Sequence, residues 1–85
     1  MKQSFHVKVH VRLKKGVLDP QGLTVKQALE SMGYRDVQEV RVGKFIEIDF
    51  NGKPKSVVVK EVKEMGEKLL INPIIEEFYY EIESR

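Results

Sequence analysis

The stretch FHVKVHVRL, from Phe5 to Leu13, decides the fold because its side chains alternate strictly between apolar and polar. This period of two, with β-branched valines at apolar positions, predicts a half-buried β-strand. One face of the strand is apolar and must be covered by a core. The other face carries His6, Lys8, His10 and Arg12.

The next segment, KKGVLDPQG from Lys14 to Gly22, has the composition of a strand-to-helix connector. Asp19 can accept hydrogen bonds from the first free amides of a helix, and Pro20 has the backbone angle of a first helical turn. A second start signal, the capping-box pattern at 24–27, follows it. From either start, the predicted helix has one apolar face and ends near Gly33. That face comprises Val25, Ala28, Leu29 and Met32.

Two short strands are predicted next, over 37–42 and 45–50, joined by a type II′ hairpin turn at Gly43-Lys44. A second helix is predicted from Ser56, although the valines at 57–59 could instead begin a strand. Asn72-Pro73 ends this helix because the residue before a proline avoids the α-helical region. The alternation from Phe78 to Glu83 predicts a last strand.

The resulting order, βαββαβ, predicts an α+β, ferredoxin-like two-layer sandwich as a single domain over residues 1–85. We expect a four-stranded antiparallel sheet with two helices on one face and the first strand in the centre. The polar face of that strand then lies between carboxylates of its neighbours, and such opposite-charge pairs are mildly stabilising. These carboxylates are Glu47, Asp49, Glu81 and Glu83.

The chain of 85 residues is small and has no cysteine. A domain of this size has a marginal core, and neither a disulfide nor a cysteine-ligated zinc is available to stabilise it. Core packing and self-association are the remaining routes to stability. With no apolar run typical of a signal peptide or a membrane span, we expect a cytoplasmic protein without a membrane partner.

The sequence contains no recognisable pattern of a catalytic or ligand-binding site. On a strand, His6 and His10 lie about 13 Å apart, too far to share a zinc ion. The two Gly-Lys pairs, at 43–44 and 52–53, lack the surrounding pattern of a phosphate-binding loop. The predicted open sheet face lacks the aromatic platform of RNA-binding domains, and the net charge is only +2. We therefore predict no catalytic residue, metal site, cofactor site or nucleic-acid partner in this chain.

Three stretches together resemble the PurS family, the small subunit of phosphoribosylformylglycinamidine (FGAM) synthase. They are VLDPQG at 17–22, VQEVRVGKFIEI at 37–48 and KEMGEKLLINPIIEEFYYEIE at 63–83. The resemblance covers nearly the whole chain in the same order. Gly66 departs from it, because the family has a larger residue there, so this helix is expected to be locally weaker or closely packed.

The resemblance implies a non-catalytic subunit in de novo purine biosynthesis. It implies a dimer, or a dimer of dimers, that bridges a glutaminase subunit and a large synthetase subunit and supports ammonia transfer between them. ATP and magnesium are expected on the synthetase partner, not on this chain. The alternative, from another class, is a free-standing ferredoxin-like regulatory module that binds a small ligand at a dimer interface.

With the resemblance, two loops become the predicted contact surface for other subunits, because binding residues often lie on loops held by a rigid scaffold. Simple helix capping at Asp19-Pro20 and simple turn chemistry at Gly43-Lys44 remain open as alternatives. The candidate contact residues are Lys14, Lys15, Gly16, Asp19, Pro20, Gln21, Gly22, Arg41, Gly43 and Lys44.

Overall fold

The structure is a computed structural model that describes residues 3–84. Three strands, β1 (Ser4–Leu13), β2 (Lys44–Asn51) and β3 (Glu76–Ser84), form one antiparallel sheet. Helix α1 (Pro20–Ser31) connects β1 to β2, and helix α2 (Lys55–Met65) connects β2 to β3. A π-helical turn, Gly66–Leu70, extends α2.

Strand β1 lies in the centre of the sheet, between β2 and β3. Val9 pairs with Ile46 of β2 and with Tyr80 of β3, and both ladders are antiparallel. The predicted central position of the first strand is therefore confirmed.

The core lies between the apolar face of the sheet and α2. The side chains of Val7 and Val9 on β1 and of Val58 and Val62 on α2 are fully buried. The three consecutive valines at the start of α2 are thus helical, since Val58 and Val62 lie one turn apart on the face that contacts the sheet.

The predicted four-stranded sheet is wrong: the part of the chain that the structure describes forms a three-stranded sheet. Residues 37–43, which include the predicted second strand, join no ladder. A hairpin would have placed these residues along the outer edge of β2, which has no partner strand among the described residues. The amide of Val42 instead donates to Asp19 Oδ2 at 2.8 Å, so a side chain accepts the hydrogen bond that a neighbouring strand would accept in a ladder.

Of the two helices predicted to cover one face of the sheet, α2 packs against the core and α1 does not. Gly22 is the one buried residue of α1, so this helix contributes little to the core that α2 covers. The molecule is accordingly extended, at 55 × 27 × 14 Å. The fold is ferredoxin-like only in its general kind, as an antiparallel sheet connected by helices.

The predicted hairpin at Gly43-Lys44 is absent as well. A type II′ turn needs a positive φ angle at its first central residue, and the described glycines with positive φ are Gly16, Gly33 and Gly52. Gly43 instead lies against the backbone of β1. A Cβ atom at this position would lie 3.5 Å from the carbonyl carbon of Val11 and closer still to its oxygen.

The predicted helix boundaries are close to those observed. Asp19 caps α1 and Pro20 is its first residue, so the earlier of the two start signals is the correct one. Gly33, with φ at +101°, follows the C-terminus of α1. The π-helical turn ends at Leu70, and the amide of the following Ile71 donates to the carbonyl of Gly66 at 3.2 Å, just before Asn72-Pro73. Within residues 3–84, no helix combines the length and the apolar character that crossing a membrane requires.

Candidate subunit-contact surface

Asp19 joins the two predicted contact loops, which are far apart in sequence. Its Oδ1 accepts from the amide of Gly22 and its Oδ2 from the amide of Val42, both at 2.8 Å. These two amides, the Gly22 one first, hold the pKa of the Asp19 carboxyl below its usual value, and the charge of Arg41 contributes further. One buried carboxylate thus caps α1 and fixes the segment before β2.

Arg41 makes a second connection between the same loops. Its guanidinium donates to the carbonyls of Leu13, Lys14 and Val17, at 3.3, 3.2 and 3.1 Å respectively. These bonds connect residue 41 to the segment in which the chain leaves β1. We call the Asp19 and Arg41 contacts together the loop clamp.

Two lysines of the candidate set connect the clamped loops to the start of β3. Lys14 donates from its amide to the carbonyl of Ile75 at 2.8 Å and from Nζ to the carbonyl of Pro73 at 2.6 Å. Lys44 Nζ lies 3.6 Å from Glu76 Oε2. Three separate segments therefore form one continuous surface.

The remaining candidates divide into backbone-determining and exposed residues. Gly16 has a positive φ angle of 89° in the connector, and the carbonyl of Pro20 accepts from Thr24 Oγ1 at 3.0 Å. The side chains of Lys15 and Gln21 are exposed and form no hydrogen bond or ion pair with the described part of the chain. Among the candidates, the side chains of Lys15 and Gln21 are thus the ones available for contacts with another chain.

Sequence reasoning missed an apolar component of this surface. A groove of about 410 Å³ runs between the connector, α1 and residues 38–41. Leu18 and Leu23 line it and remain 74% and 48% exposed. The sequence contained one signal of this: Leu18 and Leu23 are apolar but lie outside the apolar face predicted for α1.

The surface combines paired polar groups with exposed side chains. Its polar groups are carbonyls, amides and a carboxylate that already bond one another, beside exposed lysine and leucine side chains. No group of three or more histidine, aspartate or glutamate side chains within residues 3–84 is placed to hold a metal ion. Nothing in this arrangement pairs a nucleophile with a base.

Comparison with known proteins gives a consistent result. The family model described as PurS, phosphoribosylformylglycinamidine (FGAM) synthase, matches residues 6–84. The phosphoribosylformylglycinamidine synthase subunit PurS of Bacillus subtilis is 51% identical over 80 residues, which cover 94% of each chain.

Solved structures show the same fold. The crystal structure of Methanocaldococcus jannaschii PurS is 39% identical, with a TM-score of 0.81 over 93% of this chain and 95% of that one. A chain in the structure of PurLQS from Thermotoga maritima is 30% identical, with a TM-score of 0.80 over 96% of this chain and 98% of that one. From the family match, these identities and the shared fold, the chain belongs to the PurS family of FGAM synthase subunits.

Proposed function

We propose that this chain is the non-catalytic small subunit of FGAM synthase, and that it bridges the glutaminase and synthetase subunits of that enzyme. The proposal is carried by the loop clamp, because Asp19 and Arg41 rigidify a surface that has no catalytic groups. Rigid presentation lowers the entropic cost of binding a partner. ATP and magnesium belong to the synthetase subunit in this scheme.

Self-association follows from the position of α1. Apart from Gly22, this helix and its flanks leave apolar side chains uncovered, among them Leu18, Leu23 and Met32. Covering such side chains is worth about 25 cal/mol per Å² of apolar area, which a second copy of the chain can supply. A dimer is thus the state in which α1 has a packing partner.

A bridging subunit serves the reaction by holding two active sites together. Ammonia released from glutamine at neutral pH is mostly protonated once it reaches water, and ammonium is not a nucleophile. A continuous, shielded path between the subunits keeps the nitrogen neutral until it reacts. This chain therefore affects turnover with glutamine without binding a substrate itself.

The test is FGAM formation by the matching glutaminase and synthetase subunits, with and without this chain. Glutamine is the nitrogen donor in one series and a high concentration of ammonium in the other. We expect the chain to be required with glutamine and nearly dispensable with ammonium. Equal glutamine-driven rates without the chain would refute the bridging role.

Substitutions at Lys15 and Gln21 test the contact surface without disturbing the fold, because both side chains are exposed and unbonded. Lys15→Glu and Gln21→Ala are expected to reduce glutamine-driven turnover and leave the melting temperature of the isolated chain unchanged. Lys60→Glu, on the exposed side of α2, is the matched control. Full glutamine-driven turnover in both variants would exclude this surface as a contact.

A further inference from the structure

The sheet face opposite α2, here called the open face, presents its side chains in cross-strand rows. His6 of β1 pairs with Asp49 and Glu83, and Lys8 pairs with Glu47 and Glu81. His10 pairs with Phe45 and Tyr79 in the next row, and Arg12 pairs with Glu77 beyond it. Neither helix covers these rows, because α2 packs on the other side of the sheet.

One row consists of three rings. The His10 ring stacks on Tyr79 with centroids 4.5 Å apart and planes 12° apart, and its centroid lies 5.0 Å from that of Phe45. Phe45 and Tyr79 remain 54% and 53% exposed. An isolated exposed aromatic residue needs no explanation, but two on either side of a third ring form a platform, so the expectation that this face lacks an aromatic platform is wrong.

The remaining rows carry excess negative charge. Lys8 Nζ lies 2.9 Å from Glu83, and Arg12 Nε lies 3.3 Å from Glu77. His6 is buried, and its two ring nitrogens lie 2.7 and 3.0 Å from Asp49 and Glu47, an arrangement that suits the protonated ring. Even with His6 counted as a cation, the five carboxylates outnumber the three cations on this face.

This charge pattern argues against a second copy of the chain on the open face. The cations all lie on the central strand and the carboxylates on the two flanking strands. If two copies stacked face to face about a two-fold axis through the central strands, β1 would lie over β1, so cations would oppose cations. The net negative charge would also repel nucleic acid and anionic lipid.

We propose that the open face binds an arginine-bearing surface of one of the two larger subunits. Arginine suits both features, because its planar guanidinium stacks on aromatic rings and forms paired hydrogen bonds with carboxylates. Tyr79 lies between Glu77 and Glu81 on the same face of β3, so a ring and two acids are adjacent. Both acids are half-exposed and use Oε1 for their contacts with Arg12 and His10.

This inference deepens the proposed function and rests on it, since it names the chemistry of one contact. It places that contact on the open face, which adjoins the clamped loops, since Arg12 and Glu77 line one pocket together with Lys15 and Arg41.

The experiment measures the Kd of this chain separately for the glutaminase and the synthetase subunit, at low and at high salt. The test variants are the double variant Glu77→Gln/Glu81→Gln and the single variant Phe45→Ser. The matched control is Glu64→Gln/Glu67→Gln, because these exposed acids lie on the helical side and form no ion pair with the described residues. Melting temperatures of all variants are compared first, so that weaker binding is not confused with weaker folding.

For one of the two subunits, each test variant is expected to raise Kd tenfold or more, and the control to leave it unchanged. The double variant is also expected to flatten the salt dependence of Kd. Unchanged affinity of both test variants for both subunits would overturn the open-face proposal. So would an altered oligomeric state of the isolated Phe45→Ser variant, because a second copy would then occupy the face. If the unaltered chain binds neither subunit, the proposed function itself fails.

Discussion

Gly66 provides the sharpest test of how this fold is packed. It is buried at the start of the π-helical turn, and a Cβ atom there would lie 2.6 Å from both Cε atoms of Phe78 and closer still to Cζ. Helix propensity favours Gly66→Ala by about 1 kcal/mol. Overpacking of this kind typically costs about 1–3 kcal/mol, because the neighbouring side chain must leave its rotamer.

The packing cost is expected to exceed the propensity gain, since the Phe78 ring packs against the core of β1 and α2 and has little freedom to shift. Gly66→Ala should therefore lower the free energy of unfolding by about 1 kcal/mol, which corresponds to roughly 4–8 °C in melting temperature for a domain of this size. Urea unfolding at one fixed protein concentration is the suitable assay, because self-association makes apparent stability concentration-dependent.

A double-mutant cycle separates the ring contact from other effects. In a Phe78→Leu background, Gly66→Ala should be neutral or stabilising, giving a coupling energy of about 1 kcal/mol or more. Lys63→Ala, on the exposed side of α2, should change stability by less than about 0.5 kcal/mol. If Gly66→Ala stabilises the unaltered background, the inferred contact with Phe78 does not limit this position and the reasoning is wrong.

Two further predictions concern the loop clamp. Because the pKa of Asp19 is lowered in the folded state, the carboxylate stabilises the fold fully above the unfolded pKa near 4, and this contribution is lost as pH falls through the folded pKa. Between about pH 6 and pH 2, the urea midpoint should therefore fall more steeply for the unaltered chain than for Asp19→Asn. Parallel curves for the two proteins would contradict this. Arg41→Lys cannot reproduce the bonds to three carbonyls, so hydrogen exchange of the Val17 amide should become faster while the amide of Val9 is unaffected. Arg35→Lys, an exposed residue without such contacts, is the control, and equal protection of Val17 in both variants would contradict the clamp.

Local patterns in the sequence were sufficient for several elements. Strict alternation predicted β1, and Asp19-Pro20 predicted the start of α1, because both signals act within a few residues of backbone. The opposite charges across the open face were also predicted from the sequence, because the strand order and the alternation of side chains together determine which residues lie on that face. The position of the contact loops was a prediction from family resemblance, and their role in binding stays a prediction.

The wrong predictions arose where contacts between residues far apart in the chain overrode a local sequence pattern. Residues 37–42 alternate as a strand does, but Gly43 lacks the positive φ angle of the hairpin turn that would place them beside β2. Gly43 looked like a turn residue, whereas the structure requires it for a close approach to the Val11 carbonyl. Two possibilities were predicted for Gly66, a locally weak helix or close packing, and only the position of the Phe78 ring distinguishes them.

The sequence by itself thus determined the central strand, the helix ends, the charged sheet face and the PurS family. The tertiary structure alone decided the number of strands, the uncovered α1, and the convergence of Asp19 and Arg41 into one clamp. The physical reason is the separation in sequence between the residues that interact. Capping and alternation are interactions between residues close in the chain, whereas a hydrogen bond from Val42 to Asp19 spans 23 residues and exists only after the chain has folded.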